Sequence, residues 1–289
     1  MITILEAMRP RQWLKNLFVF AGLLFTLDAH HPASDYLRVG LAFALFCILS
    51  GSVYLLNDVL DAERDRKHEQ KCRRPVASGR LSQRSAWNAF VVMMMIGLGG
   101  SFALGLEFGA IALLYIVIFM AYSARLKDVV ILDVMLIASG FVLRAAAGAV
   151  AIDVQISRWL LMCTTVLALL LALAKRREEL LVLEAEAGSH RPSLEHYTVP
   201  FVDQMINISA SATIISYALY TFFSATGQTH KYLMGTVPFV IYGIFRYLFL
   251  IQRRLGVESP ELLVVRDKPL LINILLWGIT SALIVALGR

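Results

Sequence analysis

Nine strongly apolar runs divide this 289-residue chain and limit what it can fold into. Most of them approach the roughly 20 residues that a helix needs to cross a bilayer. A soluble domain of this length does not need 58% hydrophobic residues with only 17% charged ones. We therefore predict an all-α polytopic membrane protein, a single domain over residues 1–289 with nine transmembrane helices. The runs are Leu17–Leu27 (short, and extended by Trp13 and Leu14), Val39–Leu56, Ala86–Leu106, Ala110–Ala124, Val129–Val150, Trp159–Ala174, Met205–Ala225, Leu233–Ile251 and Leu270–Leu287.

Positive charge is concentrated in alternate loops. The loops after the second, fourth, sixth and eighth runs are rich in lysine and arginine, whereas the other side carries only Arg38, Arg158, Lys231 and the terminal Arg289. Basic loops stay in the cytoplasm, so we expect the N-terminus and these loops there, with the chain in the cell membrane. The net charge of +6 then reflects topology and anionic head groups, and no nucleic-acid partner is expected. Three cysteines without CxxC spacing indicate neither a disulfide framework nor a zinc site.

The densest group of oxygen ligands follows the second run, in the sequence NDVLDAERD. If that run stays helical, Asn57, Asp58, Asp61 and Asp65 are three or four residues apart and share one helix face. Hard cations such as Mg²⁺ take oxygen ligands and often bridge to a substrate phosphate. These four residues are the predicted metal ligands. The alternative is a solvated acidic helix end, but unpaired carboxylates are costly at a membrane boundary.

Basic and aromatic residues surround the acidic segment in the sequence. Tyr54 lies one turn before it on the same face, and Pro75 and Gly79 bend the loop that follows, so that the cations of this loop can fold back over the metal. Lysines and arginines opposite a metal–carboxylate cluster suit a highly anionic ligand such as a diphosphate. A loop whose charge only sets the topology is the alternative. The cations are Lys67, Lys71, Arg73 and Arg74.

Two later runs supply further candidates. Tyr122 and Lys127 follow the fourth run in YSARLKD, where Lys127 can reach a phosphate or simply extend its charge to the membrane surface. Arg144 lies inside the fifth run, eleven residues after Asp133, so the two side chains share a helix face. An ionisable residue within a span is a functional candidate, and a structural pair with Asp133 is the alternative.

The end of the sixth run is basic rather than acidic. Lys175 and Arg176, in AKRREEL, are candidates for phosphate binding, although cations are favourable at any helix C-terminus. The polar loop beyond, as far as Tyr197, is long enough to act as a lid. Lys15, in the N-terminal segment, completes the basic set.

The motifs resemble a known superfamily. NDxxDxxxD after a second span, YxxxLK after a fourth and nine spans are similar to the UbiA-type intramembrane prenyltransferases. Members of that superfamily hold Mg²⁺ and a prenyl diphosphate on two acidic clusters. In this chain the second cluster, expected after the sixth span, is absent, and KRREEL stands in its place. That difference puts a prenyl diphosphate donor in doubt.

Other segments resemble one branch of the superfamily, the decaprenyl-phosphate phosphoribosyltransferases. They are RPRQWLKN, SGFVLRAAAG, LALAKRREEL, PFVIYGIFRY and RDKPLLINILLW. The resemblance implies two substrates, 5-phosphoribosyl 1-diphosphate and a polyprenyl phosphate, with Mg²⁺ as cofactor and a product that feeds cell-wall arabinan. Asp58, Asp61 and Asp65 would then be the catalytic residues. The substrates would lie among Lys15, Tyr54, Lys67, Lys71, Arg73, Tyr122, Lys127, Arg144, Lys175 and Arg176.

Two other functions stay open on the sequence alone. A prenyltransferase acting on an aromatic acceptor shares the first acidic motif, but it predicts a second one. A transporter or lipid flippase predicts charges or broken helices at mid-membrane depth, whereas most charges here gather at one surface. The sequence does not decide whether the chain forms a homo-oligomer.

Overall fold

A computed structural model of the protein describes residues 2–29, 31–67, 71–155, 157–185, 194, 196–253, 263 and 266–287, and their secondary structure is helical. The lid expected before Tyr197 lies largely outside these ranges. Within these ranges, 3₁₀ segments of three or more residues lie at Pro10–Phe20, Leu27–Ala29, Lys71–Arg73, Leu126–Asp128 and Lys231–Thr236. The α-helices of the described residues are α1 (Ile2–Ala7), α2 (Ala21–Leu24), α3 (Ala33–Leu60), α4 (Ala62–Arg66), α5 (Gln83–Leu104), α6 (Leu106–Ala124), α7 (Leu132–Ala151), α8 (Arg158–Ala185), α9 (Val199–Phe223), α10 (Ala225–Thr229), α11 (Val237–Gln252) and α12 (Lys268–Leu287).

Eight segments within the described ranges are long and apolar enough to cross a membrane. They match the second to ninth apolar runs, so the all-α polytopic class predicted from the sequence is confirmed. Large apolar side chains on these helices face outward, among them Leu114, Ile215 and Leu275. A bilayer has no water to bond exposed backbone, so helices that satisfy their own amides are the expected spanning elements.

The first apolar run differs from its prediction as a helical span. It forms the 3₁₀ segment Pro10–Phe20 followed by the single turn α2, so the structure does not establish nine continuous transmembrane helices. A 3₁₀ helix rises about 2.0 Å per residue, which extends these 11 residues over about 22 Å. The 3₁₀ form thus gives this segment more length per residue than an α-helix would.

Close packing against α7 holds this N-terminal segment in place. Asn16 and Val19 are buried, whereas Leu14 and Leu17 are exposed. A Cβ atom on Gly148 would lie only 1.8 Å from the carbonyl oxygen of Val19, so only glycine permits this approach of the two backbones. The segment is thus built into the bundle rather than lying on its surface.

The two largest of the five apolar cores in the described residues lie one in each half of the chain. The N-terminal core joins Val19, Phe46, Tyr115 and Ala147, and the C-terminal core joins Leu170, Val202, Tyr247 and Leu270. Helix α7 contributes to both, since Val134 belongs to the second core.

One end of the bundle gathers the polar residues. Contacts between residues far apart in sequence bring together the C-terminal ends of α3 and α6, the start of α7 and the second half of α8. The described ends of the second, fourth and sixth apolar runs, which the charge pattern assigned to one face, therefore meet at one end of the bundle.

Candidate active site

The acidic segment continues from α3 almost without interruption. Asp61 ends α3 with φ −95° and ψ 4°, and α4 begins at the next residue. The backbone still bonds as in a helix, because the Asp61 amide donates to the Asn57 carbonyl at 2.9 Å and the Asp65 amide donates to the Asp61 carbonyl at 2.8 Å. The helical spacing that predicted a shared face is therefore kept.

Each of the three carboxylates is paired with a cation from another part of the chain. Arg9 donates to Asp58 at 2.5 Å, Lys127 donates to Asp61 at 2.6 Å, and Arg74 donates to Asp65 at 2.6 Å. The Arg74 guanidinium also lies 3.8 Å from Asp58. We call these six residues the acidic–basic face: Asp58, Asp61, Asp65, Arg9, Arg74 and Lys127. Their formal charges cancel.

Arg9 reaches Asp58 through an uncommon backbone conformation. Its φ of 53° and ψ of 68° lie in the left-handed region, which a non-glycine residue adopts at some cost in energy. Its guanidinium stands 4.8 Å from the centre of the Tyr54 ring, which gives it a second anchor. Sequence reasoning missed Arg9 as a site residue, since nothing local connects it to an aspartate 49 positions later.

The loop after α4 does fold back, as its Pro75 and Gly79 predicted. Gly79 has a φ of 79°, and Arg74 is the residue that returns to the carboxylates. Burial and the nearby positive charge of Arg9 lower the pKa of Arg74, against the opposite influence of Asp65 and Asp58. Two guanidiniums crowded in this way favour anions. Arg73 and Lys67 are exposed, while Lys71 is partly buried.

The donor atoms of this face fit a hard divalent cation. Asp58 Oδ2 is buried and accepts no hydrogen bond from the described residues. Carboxylate and amide oxygens, including that of half-buried Asn57, are the ligands that Mg²⁺ prefers. Among the described residues, however, no three acidic, histidine or cysteine side chains are grouped closely enough to hold a metal. The expected convergence on one volume is therefore not seen, because each carboxylate turns toward its own cation.

Arg144 lies deeper in the bundle and pairs with neutral groups. It donates to Asn16 Oδ1 at 2.7 Å, to the Gly140 carbonyl at 2.7 Å and to the Tyr115 hydroxyl at 2.8 Å. Asn16 in turn donates to Ser50 at 3.2 Å. The alternative that Arg144 pairs with Asp133 is wrong, because Asp133 bonds elsewhere.

The partner of Asp133 is Arg176. Arg176 Nε donates to Asp133 Oδ2 at 2.7 Å. Its Nη1 donates to Glu179, and its Nη2 donates to the Tyr122 hydroxyl at 3.3 Å. Tyr197 donates to Asp133 Oδ1 at 2.8 Å and accepts the Ile131 amide at 2.7 Å. We call this group the buried pair cluster: Asp133, Arg176, Glu179, Tyr122 and Tyr197. Its arginine contacts protein groups rather than presenting an open phosphate site.

Not every predicted site residue enters these two groups. Tyr54 joins the acidic–basic face through Arg9, and Tyr122 joins the buried pair cluster. Lys15 is half-buried beside Asn16, and Lys175 is half-buried beside Arg176. Sequence reasoning did not single out Asn16, Tyr115 or Tyr197. The one signal in the sequence was a polar residue, Asn16, between the apolar residues Leu14 and Leu17.

The chain matches known proteins along most of its length. The profile of the UbiA prenyltransferase family matches residues 16–264. The chain belongs to this family. Decaprenyl-phosphate phosphoribosyltransferase of Mycolicibacterium smegmatis is 33% identical over 286 residues, covering 95% of this chain and 89% of that protein. The protein of the same name from Mycobacterium tuberculosis is 32% identical over 289 residues, covering 99% and 95%.

Solved structures of other UbiA proteins show the same fold. A UbiA homologue from Archaeoglobus fulgidus, solved with GPP and Mg²⁺, superimposes with a TM-score of 0.72 at 20% identity, covering 98% of this chain and 97% of that one. The same homologue was also solved with Cd²⁺ and gives a TM-score of 0.71. Divalent metals are thus bound within the UbiA family.

Proposed function

We propose that this chain transfers 5-phosphoribose from 5-phosphoribosyl 1-diphosphate to a polyprenyl phosphate and releases diphosphate. The observation that carries the proposal is the similarity, over nearly the whole chain, to proteins named decaprenyl-phosphate phosphoribosyltransferase. The geometry supports it, because three carboxylates and several cations meet at one end of a membrane bundle. The whole chain would act as one domain.

Asn57, Asp58, Asp61 and Asp65 would hold Mg²⁺ in this proposal. When bound, the ion would neutralise charge on the leaving diphosphate as a Lewis acid. Asp58 Oδ2, which accepts no hydrogen bond from the described residues, is an acceptor that could bind the ion. The aspartates would act through the donor's diphosphate rather than by proton transfer.

The cations of the acidic–basic face would change partners when substrate binds. Arg9, Arg74 and Lys127 now neutralise the aspartates. Once a divalent cation takes the carboxylates, the same side chains become available to the diphosphate. Charge-assisted hydrogen bonds from arginine to phosphate are among the strongest that proteins make. Binding of the metal and binding of the diphosphate would therefore be cooperative, each raising the affinity for the other.

The transfer itself needs little acid–base help. An oxygen of the acceptor phosphate forms the new bond to C1 of the ribose, while the bond from C1 to the diphosphate oxygen breaks. A phosphate monoester is already anionic near neutral pH, since its second pKa is about 6. The protein's task is to hold two polyanions close together and to exclude water.

We propose that the polar end faces the cytoplasm of the cell membrane. The support is the concentration of lysine and arginine in the loops at this end. A membrane-impermeant thiol reagent should label Cys72 from the cytoplasmic side only, and a cysteine replacing Lys231 from the outer side only. The opposite labelling pattern would reverse the orientation and remove the site from its cytoplasmic donor.

The test of function uses purified protein in lipid nanodiscs with labelled 5-phosphoribosyl 1-diphosphate, a polyprenyl phosphate and Mg²⁺. Label should pass into the lipid fraction, should stop on addition of EDTA and should resume when Mg²⁺ is restored. Asp61→Asn is the matched inactive control, because it keeps the size of the side chain and removes its charge.

A second pair of substrates separates this proposal from prenyl transfer to an aromatic acceptor, the alternative that the first acidic motif left open. Geranyl diphosphate with 4-hydroxybenzoate should give no product. Turnover of that pair, with no transfer from the phosphoribosyl donor, would replace the proposed function with aromatic prenyl transfer.

A further inference from the structure

Arg144 differs from the other buried cations of the described residues. Lys127, Arg176 and Arg177 are each paired with a carboxylate, on Asp61, Asp133 and Asp203 respectively. Arg144 is only 4% exposed, and no carboxylate among the described residues lies within ion-pair distance of it. A buried charge without a counter-ion is strongly unfavourable. Within the part of the chain that the structure describes, Arg144 therefore lacks an anionic partner that a bound substrate could supply.

The hydrogen bonds of Arg144 leave part of its guanidinium available. The group has five N–H donors. Nε donates to Asn16, one N–H of Nη1 to the Gly140 carbonyl, and one of Nη2 to the Tyr115 hydroxyl. One N–H on each terminal nitrogen remains without a partner in the described residues. A fork of two such donors matches two oxygens of a phosphate.

Neutral contacts fix the direction of the guanidinium without cancelling its charge. It lies 4.8 Å from the centre of the Tyr115 ring and 5.7 Å from that of Phe141. Asn16 is itself held by Ser50 and Cys47 on α3, each at 3.2 Å. An arginine oriented in this way is prepared for an anion before the anion arrives.

The location of Arg144 is continuous with the acidic–basic face. Ser50, Tyr54 and Asp58 follow one another at intervals of four residues along α3, and so share one face. Asn16 bonds to Ser50, whereas Arg9 bonds to Asp58 and covers Tyr54. Eight residues of helix separate Ser50 from Asp58 by about 12 Å. Arg144 is linked to Ser50 through Asn16, so it lies about two helical turns away from the Asp58 carboxylate along α3. The two positions can hold two different phosphate groups.

We propose that Arg144 is the binding site for a phosphate monoester, distinct from the diphosphate site at Asn57–Asp65. The inference rests on the proposed function, in which two groups have this chemistry: the 5-phosphate of the donor and the phosphate of the lipid acceptor. Seven covalent bonds separate the donor's 5-phosphate from its diphosphate, and the acceptor phosphate must approach C1 from another side. Each therefore needs its own cation. Lys15, beside Asn16, adds positive charge at the same level.

The test measures binding without turnover, in the purified full chain. Three probes are titrated into the protein with Mg²⁺: ribose 5-phosphate, farnesyl phosphate and inorganic pyrophosphate. Arg144→Gln should weaken one of the two monoesters by about ten- to a hundredfold and leave pyrophosphate unchanged, since one charge-assisted contact is lost. The monoester that weakens identifies the source, and its KM in the transfer assay should rise while that of the other substrate does not.

Matched variants keep the outcome interpretable. Arg177→Gln makes the same change at another buried arginine that pairs with a carboxylate, and it should leave all three probes unchanged. If Arg144→Gln fails to fold, Arg144→Lys retains the charge and loses the fork, and a partial loss for one monoester is expected. Methylguanidinium should restore part of the binding to Arg144→Ala, which a purely structural arginine would not show.

Three results would overturn the inference. They are unchanged affinity for both monoesters in Arg144→Gln, unchanged affinity for both in Arg144→Lys when the glutamine variant does not fold, and equal weakening of all three probes. Failure of the proposed function gives a different result: the wild-type chain would then transfer no ribose phosphate, whichever of the three probes it binds.

Discussion

The acidic–basic face and the buried pair cluster use the same residue types and differ in their access to solvent. In the first, the side chains of Arg9 and Arg74 are 28% and 26% exposed, and Lys127, itself only 5% exposed, pairs with an Asp61 that is 18% exposed. In the second, those of Arg176 and Asp133 are 1% and 0% exposed. Cations with access to solvent can leave their carboxylates at modest cost, whereas a fully buried pair cannot separate without leaving an uncompensated charge.

That difference separates a site that can exchange partners from one that holds helices together. The resemblance to the wider UbiA superfamily predicted two metal-binding clusters, and the second position here holds an arginine that already has protein partners. The second region therefore holds its arginine in fixed ion pairs with Asp133 and Glu179, where a cation free to bind phosphate was expected. The following three variants test this comparison.

The largest effect should come from Arg176→Met. Asp133 would be left buried without its cation, so the free energy of unfolding should fall by about 3–5 kcal/mol. Denaturant titration in detergent micelles, followed by circular dichroism, measures the change. Arg74→Met, on the half-exposed side of the comparison, should cost clearly less.

A double variant controls for the loss of packing volume. Asp133→Leu combined with Arg176→Met removes both charges and should recover most of the lost stability, because an apolar pair of similar volume often replaces a buried ion pair without cost. If the Arg176→Met variant is instead stable and binds the donor tenfold more weakly, the result would support the direct contact between Arg176 and a phosphate that was predicted from the sequence.

Lys127→Met should have an intermediate effect, raising the affinity for a divalent metal and lowering the affinity for the donor. Asp61 loses a competing cation, so Mn²⁺ used as a probe should bind several-fold more tightly in the absence of donor. Affinity for the donor should fall about ten- to a hundredfold, because the diphosphate loses one charged contact. Arg125→Met, an exposed cation two residues earlier, is the matched control. Weaker metal binding in Lys127→Met would contradict the exchange of partners.

The smallest effect should follow from Tyr197→Phe, which removes the hydrogen bonds to Asp133 and to the Ile131 amide. The free energy of unfolding should fall by about 1 kcal/mol. Burial raises the pKa of Tyr197 to about 12. A raised pKa means that the folded state favours the protonated phenol. The contribution of the Tyr197 phenol to the free energy of unfolding is therefore complete below the ordinary tyrosine pKa of about 10. It is lost as pH rises through about 12. Stability of the phenylalanine variant should lack this decline, and identical pH profiles would refute the role assigned to the phenol.

Sequence periodicity predicted what depends on neighbours along one helix. The spacing of Asp58, Asp61 and Asp65 placed them correctly on a nearly continuous helix, because three- and four-residue intervals fix their relative positions whatever surrounds them. The apolar runs identified eight spanning segments for the same reason.

Pairings between distant segments could not be predicted in this way. Arg176 and Asp133 are 43 residues apart, and Arg144 and Asn16 are 128 apart. Whether Arg144 or Arg176 pairs with Asp133 depends on how α7 and α8 pack against each other. No local pattern in a single sequence predicts that packing. Asp133 and Arg144 do share a helix, yet three turns separate them by about 16 Å, too far for a contact.

The 3₁₀ form of Pro10–Phe20 has a consequence for how this protein can vary. Three residues complete each turn, so Trp13, Asn16 and Val19 form one row toward the bundle, and Leu14 and Leu17 lie in the next row, facing outward. Deleting one residue would turn everything before it by a third of a revolution, and would separate either Arg9 from Asp58 or Asn16 from Arg144. Removing three residues would keep the rotation but shorten the segment by about 6 Å. Any deletion between Arg9 and Asn16 should therefore break at least one of these two contacts, so the length of this segment is fixed by the contacts at its two ends.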